Sequence, residues 1–188
     1  MINVEKLGRR PWIQWLTWPA GKLMASPLRR WIMNPEHLLQ KAHLEPGLKV
    51  LEVGCGTGFF TLPAARMLQP GGSLVALDAN LGFTEQTQLA LKRANLPDVQ
   101  VYQRDGLNTQ FPNETFDMVL LFGVIPFPTL PLKHLLPEMA RILVPNGRLA
   151  IWLYPPKINN WVAAQVNHSD FFTLVEDGHS VFNYRKQL

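Results

Sequence analysis

From Lys49 onward the chain alternates between short apolar runs and longer segments whose apolar residues recur every three or four positions. The short runs have strand length and the longer ones have helical spacing. Strands are predicted over Lys49 to Val53, Ser73 to Leu77 (closing on Asp78), Val99 to Gln103, the run "TFDMVLLFG", and Arg148 to Leu153. The run "TFDMVLLFG" is apolar almost throughout, as a strand covered on both faces should be. Helices are predicted to start at Pro35, to cover Phe59 to Leu68 and Phe83 to Ala94, to occupy much of "LPLKHLLPEMARILVPNG", and to recur near Trp161 to Val166.

Turn residues fall where this pattern needs them. Asn34 can cap the first helix with Pro35 at its first position, and Pro46-Gly47 stops it. "QPGG" closes the second helix, and Pro145-Asn146-Gly147 marks a turn ahead of strand five. Two last strands, Phe171 to Val175 and Val181 to Arg185, flank Asp177-Gly178, a hairpin signal. Alternating strands and helices that end in a hairpin predict an α/β fold with a mostly parallel sheet and an antiparallel C-terminal hairpin strand.

Composition changes this picture in two places. The chain has 188 residues, 47% hydrophobic and 17% charged, enough for one well-buried domain. No apolar run reaches the roughly 18 residues that a spanning helix needs. The lone Cys55 rules out an internal disulfide and fits a reducing compartment, so a cytoplasmic location is expected. Charge, by contrast, is unevenly placed. Lys6, Arg9, Arg10, Lys22, Arg29 and Arg30 stand against Glu5 alone within residues 1–34, so this leader carries +5 of a chain total of +4 and the rest is close to neutral. Trp12, Trp15, Trp18 and Trp31 lie in the same stretch. Such a segment suits a lid folded back over the domain, peripheral contact with a membrane surface, or a grip on an anionic partner. The division expected is a leader and lid over 1–33 and a globular domain over 34–188.

Candidate chemistry gathers at three predicted strand ends, where open parallel sheets bind ligands. "VLEVGCGTGFF" sets Gly54, Gly56 and Gly58 directly behind strand one, a pattern that suits a tight turn and close approach of main chain to a ligand. Asp78 ends strand two, where a carboxylate can accept from both hydroxyls of a ribose. Asp105, beside Gly106, follows strand three, where a carboxylate can accept from an exocyclic amine. Together they would hold a nucleoside. The spacing is G-x-G-x-G and not the G-x-G-x-x-G expected before a pyrophosphate, and Glu52 precedes it. An acid there would repel a pyrophosphate and suit an ammonium or sulfonium, which favours S-adenosylmethionine over NAD.

In order and spacing, "VLEVGCGTGFFTLPAA", "LVALDAN", "QRDGLN", "FDMVLLFGVI" and "LVPNGRLAIW" resemble the successive motifs of class I S-adenosylmethionine-dependent methyltransferases. The resemblance spans about residues 34–188. It implies a Rossmann-like three-layer sandwich with seven strands, and S-adenosylmethionine as cofactor. It further implies that Gly54, Cys55 and Gly56 contact the methionine part, Asp78 the ribose, and Asp105 with Gly106 the adenine, with Ala79 a further cofactor-binding residue. Phe122 and Gly123 would border the transferring methyl. Phe122-Gly123-Val124-Ile125 stands where enzymes that methylate nucleobases or glutamine amides carry an Asn/Asp-Pro-Pro-Tyr/Phe box, which disfavours a nucleic-acid substrate. The acceptor expected is a small molecule, although a lipid or an inorganic acceptor fits the sequence equally well.

Other residues carry weaker signals. No metal is expected, because five scattered histidines and one cysteine make no ligand spacing. Tyr154 is a candidate for the substrate pocket, while His134, His168 and His179 read as ordinary surface or core residues. No general base stands out. Two rival functions stay open: a non-catalytic cofactor-binding module attached through the leader, and an NAD(P)-dependent oxidoreductase. Oligomeric state is not legible.

Overall fold

The structure is a computed structural model that describes residues 33–125, 130–153, 159–178 and 180–187. The tryptophan-rich part of the leader, Tyr154 and His179 lie outside the described residues.

Seven strands form one sheet in the order β3-β2-β1-β4-β5-β7-β6. They are β1 (Lys49–Val53), β2 (Ser73–Asp78), β3 (Gln100–Gln103), β4 (Phe116–Phe122), β5 (Leu143–Trp152), β6 (Phe172–Asp177) and β7 (Val181–Lys186). Five described helices join them: α1 (Pro35–Lys41), α2 (Thr61–Met67), α3 (Leu81–Arg93), α4 (Leu132–Ile142) and α5 (Asn159–Asn167). β1 to β5 pair in parallel. β7 runs antiparallel to β5 on one side and to β6 on the other. The α/β class, the seven strands and the closing hairpin agree with the sequence reading; the seat of β7 between β5 and β6 is new.

Period-two alternation divides the central strands between two cores, one on each face of the sheet. Leu51 and Val53 of β1, Val119 and Leu121 of β4, and Leu149 and Ile151 of β5 join Leu135 and Met139 of α4 on one face. Val50, Met118, Leu120, Ala150 and Trp152 point to the other, against Leu39 of α1 and Ala64 of α2. This is why "FDMVLLF" reads as continuous apolar sequence: both of its faces are buried.

Element ends differ from the sequence reading where local side chains decide them. Asn34 caps α1 as predicted, its side chain accepting from the His37 N–H at 2.9 Å. α3 begins at Leu81, ahead of the predicted Phe83, because the Asn80 side chain accepts from the Gly82 N–H at 2.9 Å and caps the helix earlier. β5 begins at Leu143, ahead of the predicted Arg148, since Leu143 already pairs with Phe116. Pro145-Asn146-Gly147 does turn the chain there, as an outpocketing between the Phe116–Leu143 and Met118–Arg148 pairs, with Asn146 at φ +60°. Pro145 has no N–H to continue a ladder, so the strand bulges and then resumes.

Candidate functional site

The parallel register brings the candidate residues to one edge of the sheet. Val53 lies opposite Leu77, and Asp78 opposite Gln103, so the segments leaving β1, β2 and β3 start side by side. Glu52 lies opposite Leu120, which brings Phe122 and Gly123 at the end of β4 level with the start of the glycine turn. The described cofactor-site candidates, Glu52 to Gly56, Asp78, Ala79, Asp105, Gly106, Phe122 and Gly123, therefore lie at or just beyond the carboxyl ends of β1 to β4.

The turn after β1 is built by glycine conformations. Gly54, Gly56 and Gly58 have φ of +80°, +54° and +86°. A Cβ on Gly54 would stand 2.1 Å from Val124 Cγ1, so the turn also lies directly against the segment that follows β4. The Gly54 and Cys55 N–H groups both donate to the Leu77 carbonyl, at 2.7 and 3.0 Å. The Gly56 N–H donates to Asp78 Oδ2 at 3.0 Å, and the Gly56 carbonyl accepts from the Thr87 hydroxyl at 2.8 Å. Three consecutive N–H groups are thus spent on the end of β2. The turn is held rigidly but does not form an outward nest of N–H groups for a phosphate.

Two carboxylates stand close together beneath it. Asp78 accepts from Gly56 and, through Oδ1, from the Asn80 N–H at 2.9 Å. Its carboxyl is held above the ordinary value by burial, in spite of the N–H donors that oppose the shift. Glu52 is 1% exposed, and its Oε2 accepts from the Thr61 hydroxyl at 2.6 Å. Burial, with a further push from the charge on Asp78, raises the Glu52 carboxyl to about 7 against the lowering effect of the Thr61 bond. The Cys55 thiol is driven up by burial and then by these same two acids, which keeps it protonated and inert.

The third strand end is organised differently. Asp105 Oδ1 accepts from the Leu107 N–H at 2.9 Å, and its carbonyl from the Asn108 N–H at 3.0 Å, closing a tight turn. Gly106 is required by packing, because a Cβ there would meet Val53 Cγ1 at 2.8 Å. Ala79, after β2, accepts from Gln103 Nε2 at 3.3 Å, which ties the second strand end to the third. Gly123 has φ +72° and donates its N–H to the Trp152 carbonyl at 3.1 Å. Beside it, Phe60 meets Phe122 and Trp152 edge to face at 5.0 and 5.4 Å between centroids. Among the described residues no three His, Cys, Asp or Glu side chains gather into a metal site.

Sequence reading missed Thr61, Thr87, Asn80 and Gln103, all of which hold the candidate residues in place. Asn80 had a usable signal as a cap before a helix; the other three act across folds of chain that no spacing rule connects.

A sheet of order 3-2-1-4-5-7-6, parallel except for β7, with a glycine turn after β1 and acids after β2 and β3 defines the Rossmann-like methyltransferase fold. Residues 50–147 match the methyltransferase domain family, and the chain belongs to that family. It is 33% identical over 127 residues to nocamycin O-methyltransferase of Saccharothrix syringae, covering 66% of this chain and 45% of that protein. Demethylmenaquinone methyltransferase of Geobacillus sp. (strain WCH70) is 29% identical over 122 residues, covering 64% and 51%. The chain spans about half the length of these curated relatives. Among solved structures, a SAM-dependent methyltransferase from Aquifex aeolicus shares the fold with a TM-score of 0.71 at 21% identity, covering 89% of this chain and 96% of that one.

Proposed function

We propose that this protein transfers a methyl group from S-adenosylmethionine to a small-molecule acceptor, with the cofactor along the carboxyl edge of β1 to β4. The observation that carries the reading is the pair of acids, fully buried Glu52 and half-buried Asp78, beside a glycine turn whose N–H groups face inward. Such a site has an unmet preference for positive charge and offers nothing to a pyrophosphate, which argues against NAD. Asp78 would take the ribose hydroxyls, since a carboxylate that accepts two N–H bonds keeps further acceptor capacity. Ala79 would flank the ribose. Asp105 and the Gly106 N–H would take the adenine, and Gly54, Cys55 and Gly56 the methionine part. Glu52 would offset the cationic end of the cofactor through the field of its ionised form, and Phe122 and Gly123 would border the transferring methyl.

The bound cofactor supplies an activated methyl on a sulfonium, so the chain's task is chiefly to position the acceptor in line and keep water out. A small acceptor is supported by the relatives named for nocamycin and for demethylmenaquinone. We also propose that residues 1–33 form a lid over that acceptor, that residues 34–188 form the catalytic domain, and that the protein works in the cytoplasm. No described helix is long and apolar enough to cross a membrane.

Calorimetric titration with S-adenosylhomocysteine and with NAD tests the cofactor. Binding of the first and none of the second is expected, and Asp78→Ala should weaken it by roughly 1–3 kcal/mol. Absence of binding to the adenosyl compound would remove the proposal. Deletion of residues 1–30 should lower turnover while leaving the Kd for S-adenosylhomocysteine within about threefold; undiminished turnover would discard the lid.

A further inference from the structure

Asp105 closes its own tight turn, but the stretch that follows it, from Thr109 to Glu114, is held from outside. Gln110 and Glu114 sit at φ +58° and +51°, left-handed conformations that non-glycine residues adopt only when their surroundings impose them. Chief among these surroundings is a brace on α4. Glu138 Oε1 accepts both the Thr109 N–H, at 2.8 Å, and the Thr109 hydroxyl, at 2.6 Å. Arg141 grips the same carboxylate as a fork, Nε to Oε2 and Nη2 to Oε1, each at 2.8 Å. Its remaining nitrogen, Nη1, donates to the Phe111 carbonyl and to Asn113 Oδ1, both at 2.8 Å. From the opposite side Arg104 Nη1 donates to the Thr109 carbonyl at 2.9 Å, with its guanidinium over the rings of Tyr102 and Phe111. Thr109 is fully buried, so each of its polar groups depends on these partners.

Only three residues separate this clamp from Asp105. We propose that Glu138 and Arg141 are positioning residues for nucleobase recognition, acting through Thr109 to fix where the Asp105 carboxylate and the Gly106 N–H stand. The inference rests on the cofactor reading above, in which those two groups meet the adenine. The chemistry of discrimination makes placement decisive. A carboxylate at the exocyclic position attracts the amine of adenine and repels the carbonyl oxygen of hypoxanthine, and that contrast fades once the loop can shift by about an ångström. The carboxylate of Glu138 is suited to a permanent strut. Burial would raise it, but the Arg141 and Thr109 hydrogen bonds outweigh burial and keep it ionised.

The test compares S-adenosylhomocysteine with S-inosylhomocysteine by calorimetry, on the full chain and on Glu138→Gln. The unaltered protein should prefer the adenine compound by at least about tenfold, and Glu138→Gln should reduce that preference to about threefold or less. A purely structural brace would lower the melting temperature and leave the ratio of the two affinities alone. Thr109→Val, which deletes the hydroxyl bond and keeps the side-chain volume, serves as a milder second variant should Glu138→Gln fail to fold; it should reduce the ratio in the same sense. An unchanged ratio in whichever variant folds, or equal affinity of the unaltered protein for the two compounds, overturns the proposal. Failure of the unaltered protein to bind either compound would instead remove the cofactor reading on which the proposal stands.

Discussion

Two glutamates in this protein meet opposite fates. Glu52, at the end of β1, is fully buried with one hydroxyl donor and a second acid nearby, and its carboxyl is raised to about 7. Glu138, on α4, is half-buried, with a side chain 12% exposed, and a guanidinium fork and two Thr109 donors hold its carboxyl below the ordinary range. Desolvation pushes both carboxyls up, most at the fully buried Glu52, and at Glu138 the partners outweigh it. A carboxylate given a full set of donors becomes a strut. One left short of positive charge becomes a place where a cation is welcome, which is what a sulfonium-bearing cofactor would meet.

Breaking the contrast at Glu52 should give the largest effect. A carboxyl whose folded value is raised contributes stability that is present below its unfolded value of 4.5 and is lost as pH rises through about 7. Glu52→Gln removes the charge while its amide oxygen can still accept from Thr61. In the absence of cofactor the variant should therefore be more stable than the parent by roughly 3 kcal/mol at pH 8, and by about 1 kcal/mol or less at pH 5. Urea titrations at the two pH values check this; an equal gain at both would mean that Glu52 is not the titrating group.

At Glu138 the sign reverses. A lowered carboxyl contributes stability that is present above 4.5 and lost as pH falls through its folded value. Glu138→Ala should cost about 2 kcal/mol at pH 7, because Thr109 and Arg141 lose their shared acceptor. The deficit should shrink as pH falls below 4.5 and on through the lowered folded value, where the parent loses the same charge. Thermal melts across that range would show the two curves converging; parallel curves would count against an ionic brace.

The smallest effect is expected far from both acids. Tyr184 is buried with its hydroxyl unpartnered among the described residues, so Tyr184→Phe should leave stability unchanged or raise it by up to about 1 kcal/mol. A marked loss in a melting experiment would point to a partner for that hydroxyl.

Much of the scaffold was legible before folding. Strand positions followed from apolar runs, and the Asn34 cap from its place before Pro35. Asp78 and Asp105 were legible as strand-end acids because each directly follows a β-pattern. What escaped were the contacts that fix their meaning. Glu52 was legible as an acid ahead of a turn, but its dependence on Thr61 requires the chain to double back through the whole glycine loop. Thr109 and Glu138 are 29 residues apart, on elements with no shared periodicity, so nothing in either segment announces the brace.

By itself the sequence determined which segments become strands and helices, because those choices rest on local periodicity, caps and glycine conformations that act over a few residues. It also determined that three strand ends would carry a glycine turn and two acids. Tertiary structure alone decided that β7 slips between β5 and β6, that Asn183 on β7 donates to the carbonyl of Lys41 on α1, and that Glu138 is braced while the buried Glu52 is left short of charge. Protonation and positioning depend on what surrounds a group in space, and a linear sequence does not contain those neighbours until the chain has closed upon itself.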